Sequence, residues 1–144
     1  MDSQEFTKIF KECMIENGFV YKNNKCYLQG EKLIAIIQTQ KSNFSNVFYI
    51  NYGFFVKEIH INTDCHNIRS CDVVGRFKIN DKDEYELSSL TSEMLIESLE
   101  TNVNDIIFPV VNGGIKKYFE LFPNAICAAK NTLKEFMHKK GYEA

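Results

Sequence analysis

The sequence predicts an α+β protein, in which one helix precedes an antiparallel sheet of four or five strands, and two or three helices follow and pack on that sheet. Three observations lead to this prediction. Helical patterns open and close the chain, strand-like segments are confined to its middle, and the turns between those segments are too short for parallel crossovers. The length of 144 residues suits one domain and no repeat or linker divides it, so residues 1–144 are predicted to form a single domain.

The first predicted element is an amphipathic helix. Asp2 is the expected cap, because Glu5 stands three residues later, as in a capping box. The apolar residues recur at helical spacing and form one stripe: Phe6, Ile9, Phe10, Cys13 and Met14. Gly18 is the expected left-handed stop, so the helix should end before it.

The middle of the chain is predicted to be a meander of hairpins. Its strand-like segments are residues 19–21, 26–29, 32–40, 47–57 and 71–79, and Asn23-Asn24 supplies the first turn. A polar loop over residues 60–69 interrupts the series. The acidic segment 81–86 is predicted to be an exposed connection between the sheet and the helices.

The last third of the chain is predicted to be helical. A helix capped by Thr91 or Ser92 should bury one stripe: Ile96, Leu99, Val103, Ile106, Ile107 and Val110. Pro109 should kink or end that helix near Phe108, because proline lacks a backbone donor and clashes with the preceding turn. Gly113-Gly114 is a second weak point, and a last helix is expected to follow Pro123 and to be capped by Gly141.

Composition and charge exclude several classes of protein. The net charge is −2 and the basic residues do not cluster, so binding to nucleic acid or to an anionic membrane surface is not predicted. The apolar run 33–37 is far too short to span a membrane, and the acidic, polar N-terminus does not resemble a secretion signal. The expected compartment is the cytosol, where the five scattered cysteines should stay reduced.

The stretch FYINYGFF, residues 48–55, resembles a strand with two apolar faces. Phe48, Ile50, Tyr52 and Phe54 should line one face, with Tyr49, Asn51, Gly53 and Phe55 on the other. Three covers for the second face are possible. The protein's own chain, a partner protein or second copy, and a ligand each account for apolar residues there. Gly53 would let another backbone or ring approach closely, or would mark a bulge.

Polar residues near that face form the candidate binding site. Tyr49, Asn51, Gln38 and Gln40 are the polar fixing points that a mostly apolar groove would need. The only two arginines of the chain, Arg69 and Arg76, lie nearby in sequence and present planar forks suited to carboxylate or phosphate. The alternative for both arginines is pairing with local acids, namely Asp64, Asp72, Asp81 and Asp83.

The polar loop also contains cysteine and histidine. His60, Asp64, Cys65, His66 and Cys71 are residue types that bind zinc, but their spacing does not match a common zinc motif, so no metal site is predicted. An enzyme that uses Cys65 as nucleophile, with His60 or His66 as base, is the alternative to a binding protein. No motif for a phosphate loop, a serine nucleophile or a metalloprotease is present, so enzymatic activity is left open and no cofactor is predicted.

Several short segments in a fixed order resemble a known family. These segments are ENGFVYKNNKCYLQ, QTQKS, FYINYGFFV, CHNIR and GRF. Their order resembles the bacterial family known as domain of unknown function 4304, and the matching positions are Gln40, Lys41, Ser42, Phe48, Asn51, Gly53, Cys65, Arg69 and Arg76. The chain departs from the family's pattern in having no tryptophan near DKDEYELSSL, where Tyr85 stands instead. The resemblance implies a bacterial, cytosolic α+β protein and supplies no reaction.

The leading hypothesis is therefore a non-enzymatic binding protein. Its site would be the polar rim of the sheet face, and a small acidic domain of this kind suits an inhibitor such as an immunity protein that neutralises a toxin. A homodimer formed through the same face is a further possibility.

Overall fold

The computed structural model describes residues 1–64 and 67–142 and confirms the α+β prediction. An N-terminal helix is followed by an antiparallel sheet and then by the remaining helices. The helices are α1 (Ser3–Glu16), α2 (Ser92–Asn102), α3 (Phe108–Gly113), α4 (Ile115–Leu121) and α5 (Asn131–Lys140). The strands are β1 (Val20–Lys22), β2 (Lys25–Gln29), β3 (Leu33–Lys41), β4 (Val47–Val56), β5 (Val73–Arg76) and β6 (Tyr85–Glu86).

Helix α1 begins and ends as its sequence predicts. The Asp2 side chain accepts a hydrogen bond from the Glu5 backbone N–H at 2.8 Å, which satisfies one of the free donors of the first turn. The helix ends at Glu16, and Gly18 follows with a φ of 92°, a conformation that glycine adopts without steric cost. Four residues of the apolar stripe of α1 are buried in the core, namely Phe6, Phe10, Cys13 and Met14, and Ile9 is partly buried against it.

The sheet is the predicted meander. Its strands are ordered β1-β2-β3-β4-β5, each antiparallel to the next, while β6 pairs with the N-terminal end of β4. The turn between β1 and β2 is formed by Asn23 and Asn24, with φ angles of 53° and 63°. Asparagine is one of the few residues other than glycine that tolerates this left-handed conformation, so the pair fixes the hairpin register.

One face of the sheet, the inner face, packs against the helices. Phe6 of α1 stacks on Phe48 of β4 with ring centroids 4.1 Å apart, and Tyr52 of β4 meets Tyr118 of α4 through their hydroxyl groups at 3.0 Å. Burial raises the pKa of both of these tyrosines. The principal core of the protein therefore lies between the inner face and the helices.

The segment 81–86 corrects the prediction of a wholly exposed connection. Its last two residues form β6, and the Tyr85 side chain is fully buried, with its hydroxyl 2.8 Å from the Ser98 hydroxyl of α2. Burial raises the pKa of Tyr85 to about 12. A strand of two residues is too short to produce an alternating pattern, which is why the sequence gives no sign of it.

The helical region differs from its prediction at Ile96 and in part at Pro109, where a kink or an end is predicted and the helix does not end. The helix continues past Pro109, because a π turn over Val103–Ile107 precedes it, in which the Phe108 N–H bonds to the Val103 carbonyl. The wider turn accommodates the proline that an unbroken α-helix would not tolerate. Helix α3 instead ends at Gly113, before Gly114 with a φ of 87°, as predicted. Ile96 is exposed rather than part of the buried stripe.

The last helix begins later than predicted. Pro123 opens a 3₁₀ turn, Pro123–Ala128, and α5 starts only at Asn131, because the intervening Ala129 has an extended backbone. Gly141, with a φ of 69°, caps α5 as predicted. Within the described part of the chain, no helix has the length and apolar character needed to cross a lipid bilayer.

Two buried thiols lead to a prediction of alkaline instability. Burial raises the pKa of Cys26 from 9.0 to about 12 and that of Cys13 to about 11. Because the pKa is higher in the folded state, each thiol's contribution to stability is complete below pH 9 and is lost as the pH rises toward the folded value. We expect the free energy of unfolding to fall from about pH 9 upward, by at most ~1.4 kcal/mol per pH unit for each thiol. Urea unfolding at a series of pH values measures this slope.

Cysteine variants separate this effect from other alkaline titrations. Cys26→Ala should reduce the pH slope above pH 9, since its thiol is wholly buried. Cys127→Ser should leave the slope unchanged because Cys127 is exposed. Equal slopes in the wild type and in Cys26→Ala would show that the buried thiol does not cause the instability.

Candidate binding site on the outer sheet face

The outer face of the sheet has an apolar half and a polar half. Along the β3–β4 pairing, Ile34 lies opposite Phe55 and Ile36 opposite Gly53. Toward the hairpin loop, the next two outward pairs are polar and are Gln38 with Asn51 and Gln40 with Tyr49. The change from apolar to polar residues occurs at the same level on both strands, so each half is a continuous surface.

The apolar half is covered by the protein's own chain. We call residues 57–64 and 67–72 the covering segment. The His60 ring stacks on Phe55 with centroids 4.4 Å apart, and a small buried cluster is formed by Ile36, Phe55 and Cys71. Cys71 passes so close to Gly53 that a Cβ at that glycine would lie 2.6 Å from the Cys71 sulfur. Of the three possible covers, the intramolecular one applies to Phe55 and Ile36, which are both buried.

Asp72 fastens the covering segment to the sheet. Its carboxylate is fully buried and accepts the backbone N–H of Val56 through Oδ2 at 2.8 Å. Its other oxygen, Oδ1, lies 2.7 Å from His60 Nε2. Since an ionised carboxylate only accepts hydrogen bonds, Nε2 carries the proton and donates it. Asp72 thus joins the end of the covering segment to its beginning and to the end of β4.

The polar half is open and forms a surface depression of about 440 Å³. Gln38, Gln40, Asn51 and Arg69 line this depression, and these are four of the six binding residues that the sequence indicates. Tyr49 and Arg76 lie beside it. We call the six residues Gln38, Gln40, Tyr49, Asn51, Arg69 and Arg76 the polar patch. The depression is also lined by Lys25, Thr39, Asn67 and Ile68.

A chain of hydrogen bonds fixes the amides of the polar patch. Arg76 Nε donates to Asn51 Oδ1 at 3.0 Å, and Asn51 Nδ2 donates to Gln40 Oε1 at 2.9 Å. A guanidinium group can only donate, so Arg76 determines which way the Asn51 amide points, and Asn51 in turn orients Gln40. The side chains of this part of the patch are therefore ordered before any ligand arrives.

The two arginines have different surroundings. The Arg76 guanidinium lies over the Tyr49 ring, 4.0 Å from its centroid, and pairs with Asp83 at 3.3 Å. The alternative of pairing with a local acid therefore holds for Arg76. Arg69 is exposed, and no acidic side chain in residues 1–64 or 67–142 forms an ion pair with its guanidinium. Of the two planar forks, that of Arg69 is available to a ligand.

The sequence does not indicate two other residues of the depression, Lys25 and Asn67. Lys25 lies opposite Gln38 across β2 and β3, a position that depends on the hairpin register. Asn67 caps the 3₁₀ turn Ile68–Ser70 by accepting the Ser70 N–H at 3.2 Å. The Asn23-Asn24 turn fixes only the pairing of β1 with β2, so the sequence indicates neither the β2–β3 register that places Lys25 nor the cap formed by Asn67.

Other depressions on the described surface are weaker candidates. One of about 690 Å³ adjoins the polar patch along β1 and β2, and Lys25 and Asn67 line both depressions. Another of about 260 Å³ lies between α2 and the chain after β5, where Lys78, Glu97 and Ser98 contribute. There the buried polar groups are used structurally, because Asn102 of α2 bonds to both the N–H and the carbonyl of Lys78. The polar patch alone among the three combines open space with polar side chains ordered by one another.

The cysteine and histidine residues of the alternative hypothesis are only partly described. Cys65 and His66 lie outside the described residues. His60 is half-buried between Phe55 and Asp72, and Cys71 is buried. Within residues 1–64 and 67–142, no group of three or more His, Cys, Asp or Glu side chains is arranged to hold a metal ion.

The fold and the site define a small α+β protein in which an antiparallel meander carries an ordered polar patch beside a covering segment. Comparison with protein families gives a match to Domain of unknown function (DUF4304) over residues 10–113. The chain therefore belongs to that family, and the matched part includes every residue of the polar patch. Comparison with curated proteins finds no match, and comparison with solved structures finds none.

Proposed function

We propose that this protein is a non-enzymatic binding module of the bacterial cytosol, which recognises another protein through the polar patch. The observation that carries the proposal is the open depression that Gln38, Gln40, Asn51 and Arg69 line together. Ordered side chains lose little conformational entropy on binding, so a pre-formed patch favours recognition.

The hairpin loop beside the patch supports a protein partner. Phe44 lies in the loop between β3 and β4 and is 99% exposed. The loop is ordered around Ser42, whose hydroxyl accepts the backbone N–H groups of Phe44 and Ser45 at 3.2 and 3.3 Å. A fully exposed aromatic ring on an ordered loop, four residues after Gln40 of the polar patch, suits a binding hot spot. Phe44 would therefore enter an apolar pocket of the partner while the patch forms hydrogen bonds.

Two variants test this proposal by affinity capture from the source cells. We expect wild-type protein to retain a partner in near-stoichiometric amount, and Arg69→Glu and Phe44→Ser each to reduce retention by about tenfold or more. Both side chains are exposed, so the melting temperature should not change. Lys139→Glu and Ile15→Ser are the matched controls, because they make the same kinds of change on exposed helix positions away from the outer face.

The outcomes test the polar patch and distinguish two kinds of partner. Retention of the same partner by all four variants would show that the polar patch is not the binding surface. Concentration-dependent sedimentation as a dimer that Arg69→Glu abolishes would identify a second copy of the chain as the partner. If the retained protein is toxic and co-expression protects the cells, the binding module is an immunity-type inhibitor.

The competing hypothesis is a small enzyme that uses Cys65 with His60 or His66. It is favoured by one observation, since Asp72 orients the His60 ring in the manner of a carboxylate that orients a catalytic base. It requires Cys65 to react with iodoacetamide much faster than an ordinary thiol at neutral pH. The measurement is made in the Cys127→Ser variant, which removes an exposed thiol that would also react with iodoacetamide. Cys13, Cys26 and Cys71 are buried and should react slowly.

A further inference from the structure

We infer that the depression binds a carboxylate group, so that the partner presents an acidic segment to Arg69; this inference rests on the function proposed above. The first reason is the direction of the hydrogen bonds in the polar patch. Arg76 occupies Asn51 Oδ1, and Asn51 occupies Gln40 Oε1. Each of the two amide oxygens already accepts one hydrogen bond within the patch, whereas the N–H groups of Gln40 are left to face a ligand.

The second reason is charge. Lys25 and Arg69 both line the depression, and no aspartate or glutamate among the described residues does so. The protein as a whole carries a net charge of −2, so the depression has the opposite sign to the rest of the molecule. A local excess of positive charge together with outward amide donors selects an anion.

The third reason is that hydrogen bonds fix the backbone position of Arg69. Arg69 is the middle residue of the 3₁₀ turn Ile68–Ser70, which the Asn67 side chain caps. The carbonyl of Arg69 also accepts a hydrogen bond from Lys130 Nζ at 3.0 Å. A guanidinium on a fixed backbone offers a planar fork that matches the two oxygens of a carboxylate. Aspartate and glutamate supply that group on any protein without modification.

The inference is tested by NMR titration with capped glutamate, N-acetyl-glutamyl amide, at low ionic strength. We expect saturable shifts of the Arg69 Nε–H and of the Gln40 side-chain amide. The uncharged isostere, N-acetyl-glutaminyl amide, should bind at least about tenfold more weakly, since hydrogen bonds to a charged group are about twice as strong as neutral ones. Arg69→Gln should weaken the binding of capped glutamate by a similar factor. Lys139→Gln, which removes a positive charge from α5, should leave that binding unchanged.

Each other outcome overturns the inference. Absence of saturable shifts, equal binding of the glutamine isostere, or unchanged binding by Arg69→Gln would each show that the depression does not select a carboxylate. Tighter binding of inorganic phosphate at the same residues would assign the site to phosphate instead. The proposed function is judged separately, by the capture experiment. If the patch variants lose the partner but capped glutamate does not bind, the proposed function stands and the carboxylate inference fails. If capped glutamate binds but no partner depends on the patch, the carboxylate site stands and the proposed protein partner is removed.

Discussion

Replacing Asp72 with alanine is expected to lower the free energy of unfolding by about 3 kcal/mol, because a buried charge-assisted pair loses one member and a buried N–H loses its acceptor. The Val56 N–H, now 2.8 Å from Asp72 Oδ2, would have no partner in the described surroundings, and His60 would lose its 2.7 Å contact. The covering segment would lose the side chain that fastens it to β4. Urea unfolding followed by circular dichroism measures the change.

Two further substitutions define the cause. Asp72→Asn keeps the shape of the side chain and one oxygen acceptor, so it should lower the free energy of unfolding clearly less than Asp72→Ala does. Asp83→Ala removes an acid that is partly exposed and pairs with Arg76 at the surface, and such pairs contribute at most about 1 kcal/mol. If Asp72→Ala and Asp83→Ala destabilise the protein equally, the buried carboxylate does not hold the covering segment in place.

The fold follows from the sequence where local periodicity is strong. Alternation along residues 32–40 and 47–57 assigns side chains to the two faces of β3 and β4, since a strand repeats every two residues. The caps of α1 and α5 follow from Asp2 and Gly141 because capping depends on neighbouring residues only. The π turn before Pro109 does not follow, because a widened turn and a broken helix fit the same pattern of apolar residues.

The cover of the outer face depends on contacts between distant parts of the chain. The sequence indicates that Phe55 must be covered but not that His60 and Cys71 cover it, because packing between elements leaves no periodic signal. The Asp72–His60 pair joins the end of the covering segment to its beginning, and the composition of that segment alone resembles an exposed connection. The position of the covering segment is therefore set by tertiary contacts and not by the secondary-structure propensity of its residues.

The sequence predicts which residues belong to the candidate site better than it predicts how those residues are arranged. Gln38, Gln40, Tyr49 and Asn51 share a face by alternation, so their proximity follows from an antiparallel β3–β4 hairpin. The position of Arg76 opposite Asn51 depends on the register between β4 and β5, which the long covering segment leaves unspecified in the sequence. The different roles of the two arginines, one ordered by Asp83 and Tyr49 and the other available, follow only from that register.

Replacing Gly53 with alanine is expected to lower the free energy of unfolding by about 1–3 kcal/mol, the usual cost of overpacking a close contact. The new Cβ would lie 2.6 Å from the Cys71 sulfur and 2.8 Å from the Cys71 Cβ, so the covering segment would have to move. Gly113→Ala is the matched control. There the nearest atom is 3.3 Å away, on the Lys117 side chain, and alanine favours helix over glycine. Urea unfolding compares the two variants.

The same substitution connects the cover to the site. Asn67, Ile68 and Arg69 belong to the covering segment and also line the depression, so a shift at Cys71 should displace the Arg69 fork. We therefore expect Gly53→Ala to weaken binding of capped glutamate in the NMR titration, although residue 53 does not line the depression. Cys71→Ala in the same chain removes the closer of the two contacts, and it should restore part of both the stability and the binding. If Gly53→Ala leaves both unchanged, the covering segment moves independently of the polar patch, and the position of Arg69 is set by Asn67 and Lys130 instead.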